Sequence, residues 1–294
     1  MSSLTPTAAS DLFRRAPERL IDLGDRGGAV AHRRVGNGPD VLFVHGWPVS
    51  GATFRHLLPH MAEHVTCHLI DLPGAGQSGW DDATDLSVDN HVRSVQGVLD
   101  ALDLSSVAVI GHDSGGMIAR HAVAGDQRVR AMGLINTEIP GGNSWRFNSF
   151  VSAVKLPGFG TGLGWLAGKP RLRRTKFVLG DAFADRSLLD GEFDEFFLRP
   201  LHEDPRALAA TMQLGRSFEK RHVSELTGLH AKIEVPVQLV WGDQDRFFPV
   251  ANARKMVTEF PNATITEVPG AGLFSHEEAP ASVAAALLPT LTAR

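Results

Sequence analysis

The chain has no tyrosine at all and a single cysteine, Cys67, among its 294 residues. One thiol excludes an intrachain disulfide, and its place in an apolar run marks it as a small buried hydrophobe. No stretch approaches the ~20 apolar residues of a membrane-spanning helix. Met1 to Arg19 mix polar and charged residues without the apolar core of a signal peptide, so a soluble, cytoplasmic chain is expected. Excess positive charge is missing too: the formal net charge is −4. That leaves no basic footprint for nucleic acid and no polybasic patch for a membrane surface. The longest basic run, Arg171 to Lys176, reads as a solvated helix face or an anion site. The histidines are scattered without paired ligand spacing, so no metal set is expected. Gly74-Ala-Gly76 follows a strand but lacks the rest of a dinucleotide fingerprint, so no cofactor is expected either. Oligomeric state is not readable from these features.

What is present is ordinary globular material, 43% hydrophobic and 21% charged, enough for a sizeable core. Val41–His45, Thr66–Asp71, Ser106–Gly111 and Ala131–Asn136 read as buried strands. Amphipathic helices are expected over Gly51–His64, over Ser87–Leu102 with Ser87 as N-cap, and over Ser114–Ala124. Strands alternating with helices predict an α/β fold: a mostly parallel sheet covered on both faces. From Pro140 to about Lys232 the strand rhythm gives way to a helical, Gly/Pro-punctuated stretch. Strands resume at Val237–Trp241 and Ala263–Val268, followed by a last helix from about Ala279 to Thr292. The expected organisation is one sheet core, 1–139 and 233–294, with a helical cap inserted at 140–232. In open parallel sheets ligands bind beyond the carboxyl ends of the strands, so the strand ends carry the functional candidates.

Four ends carry reactive residues: His45-Gly-Trp-Pro48, Gly111-His-Asp-Ser-Gly-Gly116, Gly242-Asp-Gln-Asp-Arg246 and Pro269 to Glu278. The second is the sharpest. A strand entering a helix through a tight turn strains the apex residue and needs small neighbours two before and two after. Gly111 and Gly115 put the apex at Asp113; an apex at Ser114 would require His112 to be small. The plain alternative is Asp113 as the N-cap of a core helix.

These segments, with Asp71-Leu-Pro-Gly-Ala-Gly-Gln-Ser78, resemble the α/β-hydrolase superfamily. Within it they resemble the branch with an aspartate nucleophile, the epoxide hydrolases and the haloalkane or haloacetate dehalogenases. That resemblance implies an enzyme acting on a small molecule. Asp113 would form an alkyl-enzyme ester, and a histidine oriented by a second acid would activate water to hydrolyse it. It assigns the orienting acid to Asp245, with Asp243 as alternative, and the oxyanion hole to the backbone N–H groups of Trp47 and Ser114. His45 and His112 would support loops.

Two departures stand out. The family motif would put the base at position 273, which is leucine; the nearest histidine is His276, so either His276 reaches the site from a shifted loop or the base is missing. Lid tyrosines that assist epoxide opening cannot exist here, and Ser114 stands where dehalogenases place a halide-binding tryptophan. Trp47, Trp145 and Trp165 are the candidate indole donors, with Asn143 and Arg146 nearby. His202, His222 and His230 are other lid donors. The leading expectation is an epoxide hydrolase. A dehalogenase of small haloalkanes or haloacids, a serine esterase using Ser114, and a catalytically silent or biosynthetic member of the fold are the alternatives.

Overall fold

The structure is a computed structural model that describes residues 3–24, 26–176 and 178–293. Eight strands form one sheet: β1 (Arg19–Asp22), β2 (Ala29–Gly36), β3 (Asp40–Val44), β4 (Thr66–Asp71), β5 (Val107–His112), β6 (Val129–Ile135), β7 (Val237–Gly242) and β8 (Ala263–Val268). Their order is β1-β2-β4-β3-β5-β6-β7-β8. From β4 to β8 every pairing is parallel, whereas β1–β2 and β2–β4 are antiparallel. The central strands are apolar because helices cover both faces: β4, β5 and β7 are buried along their whole length. At the edge, β8 alternates between half-buried and exposed residues.

The antiparallel edge was not apparent in the sequence. His32 and Arg33 make β2 look like loop, yet both are about 4% exposed. Arg33 reaches the Asp71 carboxylate at 3.2 Å, and His32 Nε2 meets His68 Nδ1 at 3.0 Å. A buried charge is tolerable when paired in this way, and pairing across strands is invisible in a local pattern.

The helices at Val88–Ala101, Ser114–Val123 and Pro280–Thr292 fall where expected, and the Ser87 side chain caps the first by accepting from Asn90 N. The continuous helix expected over Gly51–His64 is instead a 3₁₀ turn, Gly51–Phe54, and a short helix, Leu58–Met61. Pro59 is the reason: it has no N–H to give the carbonyl of Arg55, so an unbroken helix would lose that bond.

Between β6 and β7 the described residues form helices only, the longest being Pro205–Ser217. The basic run inside this segment is mostly exposed, as a solvated face would be, with Arg173 the exception. Arg173 is buried against Asp190 and Asp194, and Arg174 also pairs with Asp190. Cys67 is fully buried, and burial pushes its thiol up to about 12, which keeps it unreactive. Among the described residues no helix is long and apolar enough to cross a membrane.

Candidate active site

The turn after β5 has the geometry its glycines imply. Asp113 sits at φ 51°, ψ −135°, between the strand and the helix beginning at Ser114. A Cβ on Gly115 would lie 2.3 Å from the carbonyl oxygens of His45 and Val44, and one on Gly111 would lie 2.5 Å from Gly116 Cα. Both positions therefore exclude any side chain. Gly46 is equally constrained, since its Cβ would meet Asp113 Oδ2 at 2.6 Å. The backbone of the β3 loop can thus lie directly on the carboxylate. There the N–H of Trp47 donates to Asp113 Oδ2 at 2.9 Å, and the N–H of Ser114 donates as well. Below, Asp113 O accepts from Gly116 N at 2.8 Å, which closes the first turn of the helix. The apex residue is thus held in a strained backbone conformation by contacts on several sides, the condition that clusters at active sites.

Asp113, Ser114, Trp47 and Glu138 lie at an otherwise apolar cavity of about 110 Å³. The inserted helices contribute Phe147, Phe150, Val154, Leu214 and Phe218, and the β8 loop contributes Leu273 and Phe274. No histidine, lysine or arginine is among the described residues that line it. The volume is below the ~150 Å³ of a protein cavity that accommodates benzene, so the cavity suits a small apolar molecule.

His276 is not brought to this cavity. It is fully buried beneath the β8 loop, with Nε2 2.8 Å from Thr53 Oγ1 and its ring 4.3 Å from that of His112. Burial holds its pKa well below the ordinary histidine value. The side chain lining the cavity from that loop is Leu273. The three-residue offset therefore carries the imidazole inward to the core and not around to the carboxylate. His112 donates its Nε2–H to Leu273 O at 3.0 Å, which ties the two loops together. His45 likewise supports a loop: Nδ1 faces Gly46 O and Nε2 accepts from Leu72 N, both at 2.9 Å.

Asp245 is buried after β7, where Oδ1 accepts from the N–H of Phe247 and Phe248 and Oδ2 from Asn136 Nδ2. It has no histidine partner among the described residues. Burial raises its pKa to about 7. Asp243 caps the neighbouring turn by accepting from Gly270 N at 2.8 Å.

The tryptophans expected at the pocket are elsewhere. Trp145 and Trp165 are 70% and 60% exposed on the outer face of the inserted helices. Arg146 and Lys169 lie over their rings. Trp47 lines the cavity, but its indole N–H is committed to Thr211 O at 2.8 Å. Asn143 accepts from Ile139 N, and Arg146 pairs with Asp181. His230 and His222 are held by Glu259 and Asp89 away from the cavity, and His202 does not line it.

Glu138 is the residue that sequence reasoning missed. It follows β6 in Asn136-Thr-Glu138 and is 1% exposed. Burial raises its pKa, and Asp113 is pushed well above the usual carboxylate range first by burial and then by Glu138.

These shifts imply a stability profile. Asp113, Glu138 and Asp245 hold protons more tightly when folded, so their contribution is present below the ~4 of an unfolded carboxyl and lost as pH rises through the folded values. The buried histidines His45, His91, His112 and His276 are pushed down by burial. They oppose this only below ~6.5, where the unfolded chain takes up protons that they refuse. The expected result is a thermal midpoint that falls as pH rises from ~6.5 through the value of about 7 reached by Asp245. A rising midpoint in a calorimetric pH series would contradict it.

The alpha/beta hydrolase fold family matches residues 39–280. A pimeloyl-acyl-carrier-protein methyl ester esterase of Xanthomonas campestris pv. campestris is 28% identical over 244 residues, 81% of this chain and 89% of that one. A haloalkane dehalogenase of Mesorhizobium japonicum is 42% identical over 88 residues, 30% of this chain and 28% of that one. Among solved structures, epoxide hydrolase CorEH superposes with a TM-score of 0.74 at 21% identity, covering 90% of this chain and 95% of that one.

Proposed function

The chain belongs to the alpha/beta hydrolase fold family and is a hydrolase; from that premise we propose that its nucleophile is the Asp113 carboxylate, which forms an alkyl-enzyme ester. The observation that carries this reading is the carboxylate itself, at the apex of the turn with two backbone N–H groups on it. Oδ2, which accepts from Trp47 N, is the oxygen placed to become the ester carbonyl, and Oδ1 is the one assigned to attack. Among the described residues Ser114 Oγ has no hydrogen-bond partner and no histidine lines the cavity to deprotonate it, which disfavours a serine mechanism.

The helical segment at 140–232 acts as the cap that closes the apolar side of the site. The proposed substrate is a small uncharged electrophile, an epoxide first and a haloalkane second. A haloacid is disfavoured, because its carboxylate would lie beside Asp113 and Glu138 without a cation among the described lining residues.

Single turnover of an epoxide in heavy-oxygen water tests the reading. Hydrolysis of an ester at its acyl carbon leaves the label in the peptide containing Asp113. Label found only in the diol would overturn the assignment.

A further inference from the structure

The site holds two carboxyls where its relatives' chemistry would ask for a histidine, and the contacts of Thr137 bear on which of the two holds a proton. Thr137 Oγ1 takes an N–H of Arg120 at 2.9 Å and lies 2.8 Å from Asp113 O and 2.9 Å from Glu138 Oε2. A hydroxyl has one proton and two lone pairs. The carbonyl of Asp113 can only accept, so the 2.8 Å contact is a hydrogen bond only when Asp113 O receives the Thr137 proton. The contact to Glu138 is then completed only if Glu138 Oε2 carries a proton and donates it. All three bonds are satisfied when Glu138 is a neutral acid; with an ionised Glu138 one of them fails.

The surrounding charges do not all pull the same way. Asp113 accepts the two N–H groups that favour its ionised form, and two carboxyls in one buried cavity do not both ionise readily. Arg120, with its own neighbours His230 and Glu259, faces Glu138 and pulls toward ionisation, as does the glutamate's own N–H. The guanidinium, however, donates to Gly116 O, Thr137 Oγ1 and Glu138 O, and not to the glutamate carboxyl. Asp245, the remaining acid nearby, acts on Asp113 in the same direction as Glu138 does.

We propose that Glu138 is the proton carrier of this site, acid in the first half-reaction and base in the second, so that epoxides turn over while haloalkanes stop at the ester. The proposal rests on the Asp113 ester above. An Asp113 oxygen forms a bond to an epoxide carbon, the ring C–O bond breaks, and its oxygen takes the proton of Glu138. The products are a hydroxyalkyl ester on Asp113 and a Glu138 carboxylate. That carboxylate then takes a proton from water, whose oxygen adds to the ester carbonyl, and the N–H groups of Trp47 and Ser114 hold the resulting oxyanion. Collapse breaks the acyl C–O bond, and the departing alkoxide takes the proton of the added hydroxyl. Diol leaves, Asp113 is again a carboxylate and Glu138 again an acid. A halide leaving group needs no proton. Glu138 then keeps its own, no base is generated, and the alkyl ester persists.

The test compares propylene oxide with bromopropane on the intact protein. The wild type is expected to turn over the epoxide repeatedly but to release about one bromide per enzyme, leaving a propyl mass adduct on Asp113. In Glu138→Gln, bromide release should keep its single-turnover rate, while epoxide alkylation slows by about 10²-fold or more. A folding defect would slow both, so the split is specific. Multiple turnover of bromopropane by the wild type would overturn the proposal without any variant, as would an unchanged epoxide rate in Glu138→Gln. Absence of any Asp113 adduct with either probe would instead remove the nucleophile assignment on which the proposal stands.

Discussion

Asp113→Ala is expected to lower epoxide turnover by roughly 10⁴- to 10⁶-fold, the scale on which loss of a nucleophile acts. The side chain is the only one at the apex that accepts the Trp47 N–H, and alanine leaves that donor without a carboxylate to hold. The fold should tolerate the change. Asp113 keeps its left-handed backbone through Gly116 N, Thr137 Oγ1 and the N–H bond to Asn136 O, none of which uses the carboxyl. Removing a buried carboxyl whose pKa is raised also removes a cost of ionisation, so thermal stability at neutral pH should not fall with activity. Ser114→Ala is the matched control. It keeps the backbone donor and deletes a hydroxyl without a partner, so activity should stay within about tenfold, one neutral hydrogen bond being worth roughly 1 kcal/mol. Steady-state kinetics on the two variants, beside their melting curves, separate the readings: loss in Ser114→Ala with retention in Asp113→Ala would establish the serine chemistry.

The apex could be read in the sequence because its constraint is local. Gly111 excludes a Cβ by contacts within the turn and Gly115 by the backbone of Val44 and His45 packed against it, and the spacing of the two glycines identifies Asp113. The parallel core strands were legible for a similar reason, as continuous apolar runs. β1 and β2 were not, because Arg33 and His32 are compensated across strands by Asp71 and His68, far away in the chain. Glu138 stands at the end of β6, as the other candidates stand at the ends of theirs, and that position was the signal for it. Nothing in Asn136-Thr-Glu138 shows that Thr137 would be shared with Asp113 across the turn. In the inserted segment the helical character was legible, but the direction each side chain faces was not. Whether a tryptophan on a short helix faces the cavity or the solvent depends on how that helix docks, and Trp145 and Trp165 face solvent.

The missing imidazole gives the second large effect, and it is a gain. Leu273→His is expected to raise haloalkane turnover by about 10²- to 10⁴-fold, the range of a positioned general base, by releasing the ester that the parent cannot hydrolyse. The backbone at 273 is already fixed, with its N–H on Ala182 O at 2.9 Å and its carbonyl on His112 Nε2 at 3.0 Å. The side chain already lines the cavity. An imidazole there could use Asp245, whose carboxylate accepts three N–H groups and has a remaining lone-pair site of the roughly four available. Because burial raises Asp245 to about 7, an imidazolium partner would stabilise its charged form and restore an acid–base pair. Epoxide turnover should change far less, since Glu138 already supplies the base in that cycle. The measurement is bromide release beyond one equivalent, together with loss of the propyl adduct on Asp113. A folded Leu273→His protein that still stops at one equivalent would show that a base at 273 cannot reach the ester. The block would then lie in water access beneath the apolar cap, not in the absence of an imidazole.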